Sequence, residues 1–130
     1  MARMVPIAYG WRAGDGLGKD ALYMYNIHII YTDGYVDFEW DARKADANFA
    51  KHSVSFESAS DAFSDPYARI VPDTRHSDHE ERFFLMGMDL RARVLTVCHC
   101  MRDNGSRVRI ISARKATTAE ERQYWRYRNE

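Results

Sequence analysis

The sequence predicts an α+β domain, with two helices before an antiparallel β-sheet and a third helix after it. Three observations indicate this class. Two segments with helical spacing of apolar residues come early, four short runs rich in β-branched and aromatic residues follow, and a capped helical segment closes the chain. A chain of 130 residues can bury one hydrophobic core, and its apolar fraction of 45% is typical of a folded globular protein.

The segment "DARKADANFAKH", residues 41–52, is the clearest helix. Asp41 can cap it, because its carboxylate can accept hydrogen bonds from the first backbone N–H groups. The apolar residues of this helix share one predicted face: Ala42, Ala45 and Phe49. The polar residues share another: Lys44, Asn48, Lys51 and His52.

Two further helices are predicted from their caps. "SFESASDAF", residues 55–63, begins at Ser55 and stops before a proline. "TTAEERQYWRYRNE", residues 117–130, opens with Thr117 and carries Glu120 three residues later, which is a capping box.

Four strands are predicted between these helices: "YARIVPD", "RFFLMGMD", "RVLTVCHCMR" and "RVRIISARK". The last three strands are joined by short links, "LRA" and "DNGS", so consecutive strands should pair antiparallel.

Residues 1 to about 22 are rich in glycine and show no periodicity, which predicts a loosely attached tail. Asp33-Gly34 lies between two β-rich runs and predicts a hairpin over residues 24–37. We therefore expect an N-terminal extension over residues 1–35 and the folded domain over residues 36–130.

Charge is unevenly distributed in a chain whose net charge is zero. Residues 37–81 carry 5 Lys and Arg against 11 Asp and Glu, whereas residues 82–130 carry 11 against 5. This asymmetry favours a basic surface on the C-terminal half, although cations spread over solvated faces would give the same count. With no apolar run of membrane-spanning or signal-peptide length, we expect a cytoplasmic protein with no membrane partner.

Several kinds of site are disfavoured. Cys98 and Cys100 share one face of a strand while His99 faces the other way, so the three cannot hold one metal ion, and the two thiols cannot readily bridge each other. His76 and His79 lie in a polar loop without a Cys-x-x-Cys pair. No glycine-rich phosphate loop and no Gly-x-Ser-x-Gly motif occurs. The sequence therefore predicts no metal and no cofactor.

Three side chains could converge near the last helix. Period-two alternation puts Arg114 in the row of Val108 and Ile110, which predicts an arginine at the rim of the core-facing row. Arg82 opens a strand, and His99 is in line with apolar residues of its own strand. A curved sheet would bring Arg82, His99 and Arg114 to one concave surface. Equally, the two arginines could pair with carboxylates such as Glu120, and His99 could be a core histidine.

The segment "FEWDARKADANFAKHSVSF" resembles the opening signature of the BrnT toxin family, in which Trp-Asp is followed by spaced Lys, Asn and Lys-His and then by a hydrophobic-Ser-Phe run. "EER" before an apolar strand ending in glycine, and "RIISARKATTAEERQYW", are similar to later motifs of that family in order and spacing. The resemblance covers roughly residues 38–127. Ser53 departs from the family's glycine after Lys-His. Either it adopts the left-handed backbone that glycine takes freely, or the helix ends in another way.

This resemblance implies a RelE-like fold and the toxin of a type II toxin–antitoxin pair, which cleaves RNA without a metal and so inhibits translation. It also implies a BrnA-like ribbon-helix-helix antitoxin, a hetero-oligomer of toxin and antitoxin, and contact with operator DNA only through the antitoxin. The competing hypothesis is a non-catalytic basic module that binds nucleic acid or an acidic protein.

Metal-free RNA cleavage needs a base for the 2′-OH proton, an acid for the leaving 5′-oxygen, and cations that stabilise the phosphorane. Arg82 and Arg114 are the predicted charge stabilisers, since a guanidinium stays charged and donates two hydrogen bonds. The predicted proton-transfer residues are Lys44, His52 and His99. The predicted RNA contacts are Lys51, Arg109, Lys115, Arg122 and Tyr124.

Overall fold

The structure is a computed structural model that describes residues 2–6, 35–73, 75, 80–103 and 107–130. In this part of the chain one sheet carries three helices. The elements in chain order are β1 (Ala2–Pro6), β2 (Tyr35–Glu39), α1 (Ala42–His52), α2 (Phe56–Ala62), β3 (Arg69–Pro72), β4 (Phe83–Met88), β5 (Val94–Arg102), β6 (Arg107–Lys115) and α3 (Thr118–Arg128). The predicted α+β class, with two helices before the main strands and one after, is confirmed.

The strand order is β1-β2-β6-β5-β4-β3. Strands β3 to β6 pair antiparallel with their neighbours in sequence, as the short links predict for β4, β5 and β6. Strand β2 lies parallel to β6, so the sheet is mixed rather than wholly antiparallel. A parallel pair needs a long crossover connection. Here the connection from β2 to β6 consists of α1, α2 and the strands β3, β4 and β5.

The N-terminal segment differs from the predicted tail in one place. Ala2–Pro6 forms an edge strand that pairs antiparallel with β2. The backbone of β2 thus has partners on both sides, β1 and β6. The predicted hairpin turn at Asp33-Gly34 and its first strand lie outside the described residues, and the division of the chain at residues 35 and 36 stays a prediction.

All three helices begin where their caps predict. The Asp41 carboxylate accepts from Lys44 N at 3.0 Å, and the Ser55 hydroxyl accepts from Ser58 N at 3.1 Å. In α3 the Thr117 hydroxyl accepts from Glu120 N at 3.2 Å, while the Glu120 carboxylate accepts from Thr117 N at 2.8 Å. These short-range bonds satisfy N–H groups that a helix start leaves without partners.

Helix α1 ends in the first of the two geometries that the sequence leaves open for Ser53. This residue has φ 58° and ψ 28°, in the left-handed region, and its N–H donates to Phe49 O at 2.8 Å. A serine here carries the steric cost that glycine avoids.

The two faces of the sheet have different covers. We call the face under α1 and α2 the inner face; its buried side chains are Phe38, Ile70, Phe83, Leu85, Leu95, Val97, His99, Val108, Ile110 and Ala113. Gly87 lies there because a Cβ atom would be only 2.7 Å from Ala62 O of α2. We call the other side the outer face, and α3 covers its part near Thr96 and Met88.

A β-bulge interrupts β6. Val97 pairs with Ala113 and Cys98 with Ser112, but His99 pairs with Ile110, so Ile111 is an extra residue opposite β5. Because side chains alternate along a strand, one extra residue exchanges the faces of everything beyond it. Val108 and Ile110 point inward, and after the bulge Ala113 points inward instead of Ser112 or Arg114.

Helix α1 contacts the sheet through a different stripe from the predicted apolar one. Ala45 is partly buried against the core and Asn48 is buried, whereas Phe49 is 55% exposed. Asn48 takes the inward position because its amide donates to Ala113 O at 2.8 Å and to Val54 O at 3.0 Å, and accepts from Ala113 N at 3.0 Å. No helix among the described residues is long and apolar enough to cross a membrane.

Candidate functional site

Helix α1 runs alongside β6 in the same direction. At its start, the Lys44 backbone N–H and the nearby Arg109 charge both lower the pKa of Asp41. In its middle, Asn48 bonds to Ala113 of β6. At its end, Ser53 O accepts from Arg93 of the β4–β5 turn at 3.1 Å. The last turn of α1, the end of β6 and the β4–β5 turn therefore meet at one end of the sheet.

This meeting point is rich in cations. We call it the basic end and define it by five residues: Lys51, His52, Arg91, Arg114 and Lys115. Lys51, Arg91 and Lys115 are exposed and form no ion pair with any part of the chain that the structure describes. His52 is half-buried at the end of α1. Unneutralised cations that converge from three elements form a surface suited to a polyanion.

Asp89 holds the β4–β5 turn in place at the basic end. Its buried carboxylate accepts from the backbone N–H groups of Arg91 at 3.0 Å and Arg93 at 2.9 Å, and it forms a 2.8 Å ion pair with Arg93. Arg93 is therefore committed to Asp89 and Ser53, while Arg91 remains available to a ligand.

Arg114 is anchored to α3. Its two terminal nitrogens donate to the two oxygens of Glu120 at 2.7 Å and 3.1 Å, and Thr96 donates to the same carboxylate at 3.2 Å. Burial alone would raise the pKa of Glu120, but the bonds from Arg114 and from Thr117 N outweigh it and lower the pKa to about 2. Glu120 is therefore ionised at neutral pH and too weak a base to take a proton from a hydroxyl.

The predicted place of Arg114 in the inner row is wrong. The bulge at Ile111 turns Arg114 to the outer face, where it pairs with Thr96 of β5. Its side chain is 37% exposed, so the guanidinium is partly accessible beside α3. The sequence analysis left open that Arg114 could pair with a carboxylate, and the structure shows this pairing with Glu120.

The sequence analysis suggested that a curved sheet would bring His99 to one surface with Arg82 and Arg114. The structure shows that His99 lies elsewhere. Its ring is fully buried on the inner face, with centroids 4.9 Å from Phe63 and 6.0 Å from Phe83. Burial lowers the pKa of His99 to about 4. The ring has no surface that a bound RNA could touch, so we expect His99 to be a core histidine rather than a proton-transfer residue.

Tyr124 cannot stack on a base either. It is the fully buried residue of α3, and its hydroxyl donates to Asp65 Oδ2 at 2.6 Å. Asp65 also accepts from Met88 N at 2.7 Å, and Arg128 donates to the Tyr124 hydroxyl at 3.2 Å. Burial, together with Asp65, raises the pKa of Tyr124 to about 12. This residue fastens α3 to the sheet.

Arg82 and Arg109 lie on the outer face, away from the basic end. Arg109 forms a 3.7 Å ion pair with Glu39. Arg82 and Asp73 are close to Cys98, whose pKa rises to about 11 mainly through burial. Arg82 is four residues from Met86, which lies in the cross-strand row of Arg114, so about 13 Å along the strand and two strand spacings separate the arginines. One phosphorane cannot be held by both.

The remaining predicted residues are exposed on helices. Lys44 lies in the first turn of α1, about 10 Å along the axis from Lys51, and Arg122 lies on α3. Among the ten predicted residues, four lie at this end of the sheet: Lys51, His52, Arg114 and Lys115. Lys51 and His52 are on α1, which covers the inner face, whereas Arg114 points to the outer face.

No set of three or more His, Cys, Asp or Glu side chains in the described ranges is arranged to hold a metal ion. Cys98 and Cys100 are buried free thiols. His76 and His79 lie outside the described residues.

The sequence analysis missed two polar residues that position the site. Asn48 lies in the polar stripe of α1 but is buried against β6. Asp65 follows α2 and is 8% exposed. Only the position before Pro66 hinted at a loop there, and nothing local indicates its bond to Tyr124, 59 residues away.

Comparison with known proteins gives a family. A family model described as "Ribonuclease toxin, BrnT, of type II toxin-antitoxin system" matches residues 40–120, more than half of the chain. The chain is also similar to the crystal structure, at 1.1 Å resolution, of the Brucella abortus ribonuclease toxin BrnT, with 20% identity and a TM-score of 0.49 over 62% of this chain and 96% of that one. No curated protein matches the chain.

Proposed function

Because the chain belongs to the BrnT family of ribonuclease toxins of type II toxin–antitoxin systems, we propose that it is a metal-independent endoribonuclease whose RNA lies over the basic end. The observation that carries this proposal is the group of accessible cations, Lys51, Arg91 and Lys115, beside a histidine and an anchored arginine. All of them lie inside the matched residues.

In the proposed reaction a base removes the proton from the 2′-OH, and the 2′-oxygen attacks the adjacent phosphorus. The bond from phosphorus to the 5′-oxygen then breaks, and an acid protonates that oxygen. His52 is the candidate for proton transfer, since an imidazole ring has one nitrogen that can accept a proton and one that can donate one. Arg114 would stabilise the phosphorane, because Glu120 fixes its orientation before the substrate arrives.

The other cations would bind the strand on either side of the cleaved bond. Lys51, Arg91 and Lys115 would contact neighbouring phosphates, and Arg122 on α3 extends the surface in one direction. Lys44 and Arg109 lie toward the other end of α1, too far from His52 to act on the same phosphate, so we assign them to flanking phosphates. Arg82 is the candidate for a phosphate still further along the outer face.

As a toxin of this class the chain would inhibit translation by cleaving RNA, and an antitoxin would neutralise it. Family membership implies an antitoxin partner, and we propose that this partner is a ribbon-helix-helix protein. The hetero-oligomer of toxin and antitoxin would then contact operator DNA through the antitoxin alone.

The test combines purified protein with labelled RNA, with and without a chelator, and compares wild type with His52→Ala and with Lys51→Ala/Lys115→Ala. We expect cleavage that survives the chelator, a large loss of rate in the histidine variant and weaker RNA binding in the double variant. Expression of the wild type alone should arrest growth, and a co-expressed antitoxin should restore it. Harmless accumulation of folded protein that binds RNA without cutting it would favour the non-catalytic module instead.

A further inference from the structure

Arg69, the first residue of the edge strand β3, has an unsatisfied donor. Its guanidinium carbon is 4.6 Å from the centre of the Tyr127 ring, and its buried Nε atom has no hydrogen-bond partner among the described residues. In the described part of the chain no carboxylate pairs with it. Arginine cannot lose its charge, so a guanidinium that borders a cleft and has no paired carboxylate among the described residues favours an anion in that cleft.

The space beside Arg69 is a cleft of about 260 Å³ between the outer face and the C-terminal half of α3. Val71 and Met86 form an apolar floor, and α3 contributes the amide of Gln123 and the exposed cation of Arg126. Two cations, one amide and an apolar floor together suit a nucleotide, because the phosphate can take the cations while the base covers the apolar surface.

Glu130 also borders this cleft, and its carboxylate repels a phosphate. The phosphate is therefore expected between Arg69 and Arg126, on the side away from Glu130. An acidic peptide would place several carboxylates near Glu130, whereas an RNA strand needs only one anion in the cleft. The charge distribution thus favours RNA over an acidic protein segment.

The cleft is within reach of a strand bound at the basic end. Helix α3 starts next to Lys115 and extends about 15 Å to Arg128. Arg122 and Arg126 are four residues apart and so lie on one side of this helix. A strand that leaves the basic end can follow these two arginines to Arg69.

We propose that the Arg69–Arg126 cleft is a second RNA subsite, which holds one nucleotide of the substrate away from the cleaved bond. This subsite rests on the proposed function, because it needs RNA at the basic end. It adds affinity for longer substrates and takes no part in bond breaking.

The experiment measures binding of a non-cleavable, 2′-O-methylated RNA of about ten nucleotides by fluorescence anisotropy at several salt concentrations. Arg126→Gln and Arg69→Gln are the test variants, and Arg75→Gln, which removes an exposed arginine that does not line the cleft, is the matched control. We expect each test variant to bind about five- to tenfold more weakly. The slope of log affinity against log salt should also fall by about 0.7 for each lost contact.

Other outcomes separate the two proposals. Wild-type protein that binds no RNA would remove the proposed function and this subsite together. Wild-type protein that binds and cleaves RNA, with affinity and salt slope unchanged in Arg126→Gln, would overturn the subsite alone. Loss of antitoxin binding without loss of RNA binding would assign the cleft to the antitoxin. A trinucleotide confined to the basic end should bind all these proteins equally, which controls for misfolding of Arg69→Gln.

Discussion

Asn48 of α1 forms hydrogen bonds with both backbone groups of Ala113, at 2.8 Å to the carbonyl oxygen and 3.0 Å from the N–H. Strand β2 pairs with β6 only along Asp37–Glu39, so it ends before Ala113. The side-chain amide supplies the donor and acceptor that a neighbouring strand would otherwise provide. Asn48 therefore fastens α1 to the sheet and positions Lys51 and His52, which follow it in the helix.

The first prediction concerns this attachment. Asn48→Ala should lower the free energy of unfolding by about 3 kcal/mol, because it leaves three buried backbone groups without partners. Asn48→Asp should be at least as harmful, since it keeps the acceptor, loses both donors and faces two carbonyl oxygens. Urea unfolding measures both variants, with the exposed Asn129→Ala as control. If Asn48→Ala lowered the free energy of unfolding by less than about 0.5 kcal/mol, these hydrogen bonds would not be important for stability.

The second prediction concerns the end of α1. Ser53→Gly should raise the free energy of unfolding by about 0.5–1 kcal/mol, because glycine adopts φ 58° without the clash of a Cβ atom. The backbone bond to Phe49 O is retained. Ser58→Gly, inside α2, is the matched control and should be destabilising by a similar amount. If Ser53→Gly and Ser58→Gly lowered the free energy of unfolding equally, the backbone of Ser53 would not be strained.

The third prediction concerns His99 and pH. Its pKa is about 4 in the folded chain against 6.5 for the free side chain, so the unfolded state binds the proton first. The contribution of neutral His99 to the free energy of unfolding is fully present above pH 6.5 and is lost as the pH falls from 6.5 through about 4. Unfolding free energies of His99→Leu should change less over this interval than those of the wild type. RNA cleavage by His99→Leu should persist; its loss in a folded variant would return His99 to the active site.

The fourth prediction concerns Arg114 and Glu120. Arg114→Ala should reduce the cleavage rate by about 10²–10³, as removal of other preorganised charge stabilisers does. Its thermal stability should also fall modestly, since the pair is partly exposed and Glu120 loses its partner. Glu120→Gln should lower the rate less, because Arg114 keeps its charge and loses only its fixed orientation.

Two controls separate chemistry from stability in these variants. Arg107→Ala removes an arginine from the same strand that pairs with Asp37 and Asp103, and should leave cleavage unchanged. Wild-type cleavage by folded Arg114→Ala would contradict the assignment. The stabilising effect of Glu120 should disappear as the pH falls from 4.5 toward about 2, because its folded pKa is depressed.

The sequence predicted those features that depend on a few adjacent residues. The three helix starts rest on side chains three residues from their partners, and the antiparallel strands on short links, so local chemistry decides both. The inward direction of His99 also follows from simple alternation with Leu95 and Val97. The outward direction of Arg114 does not follow from alternation, because the bulge at Ile111 reverses which side chains face the core. No sequence signal predicts that bulge. Asn48 and Asp65 escaped prediction because their partners are distant in sequence.

The parallel pairing of β2 with β6 has a consequence for the newly made chain. Asp37 and Arg107 are 70 residues apart, and Asn48 and Ala113 are 65 apart, so β2 and α1 acquire their sheet partners only when β6 has been synthesised. Until then the inner side of α1 has no strand to bind, and this long-range closure makes folding a late event. The nascent chain therefore cannot take the shape that would let it act on RNA until β6 has left the ribosome.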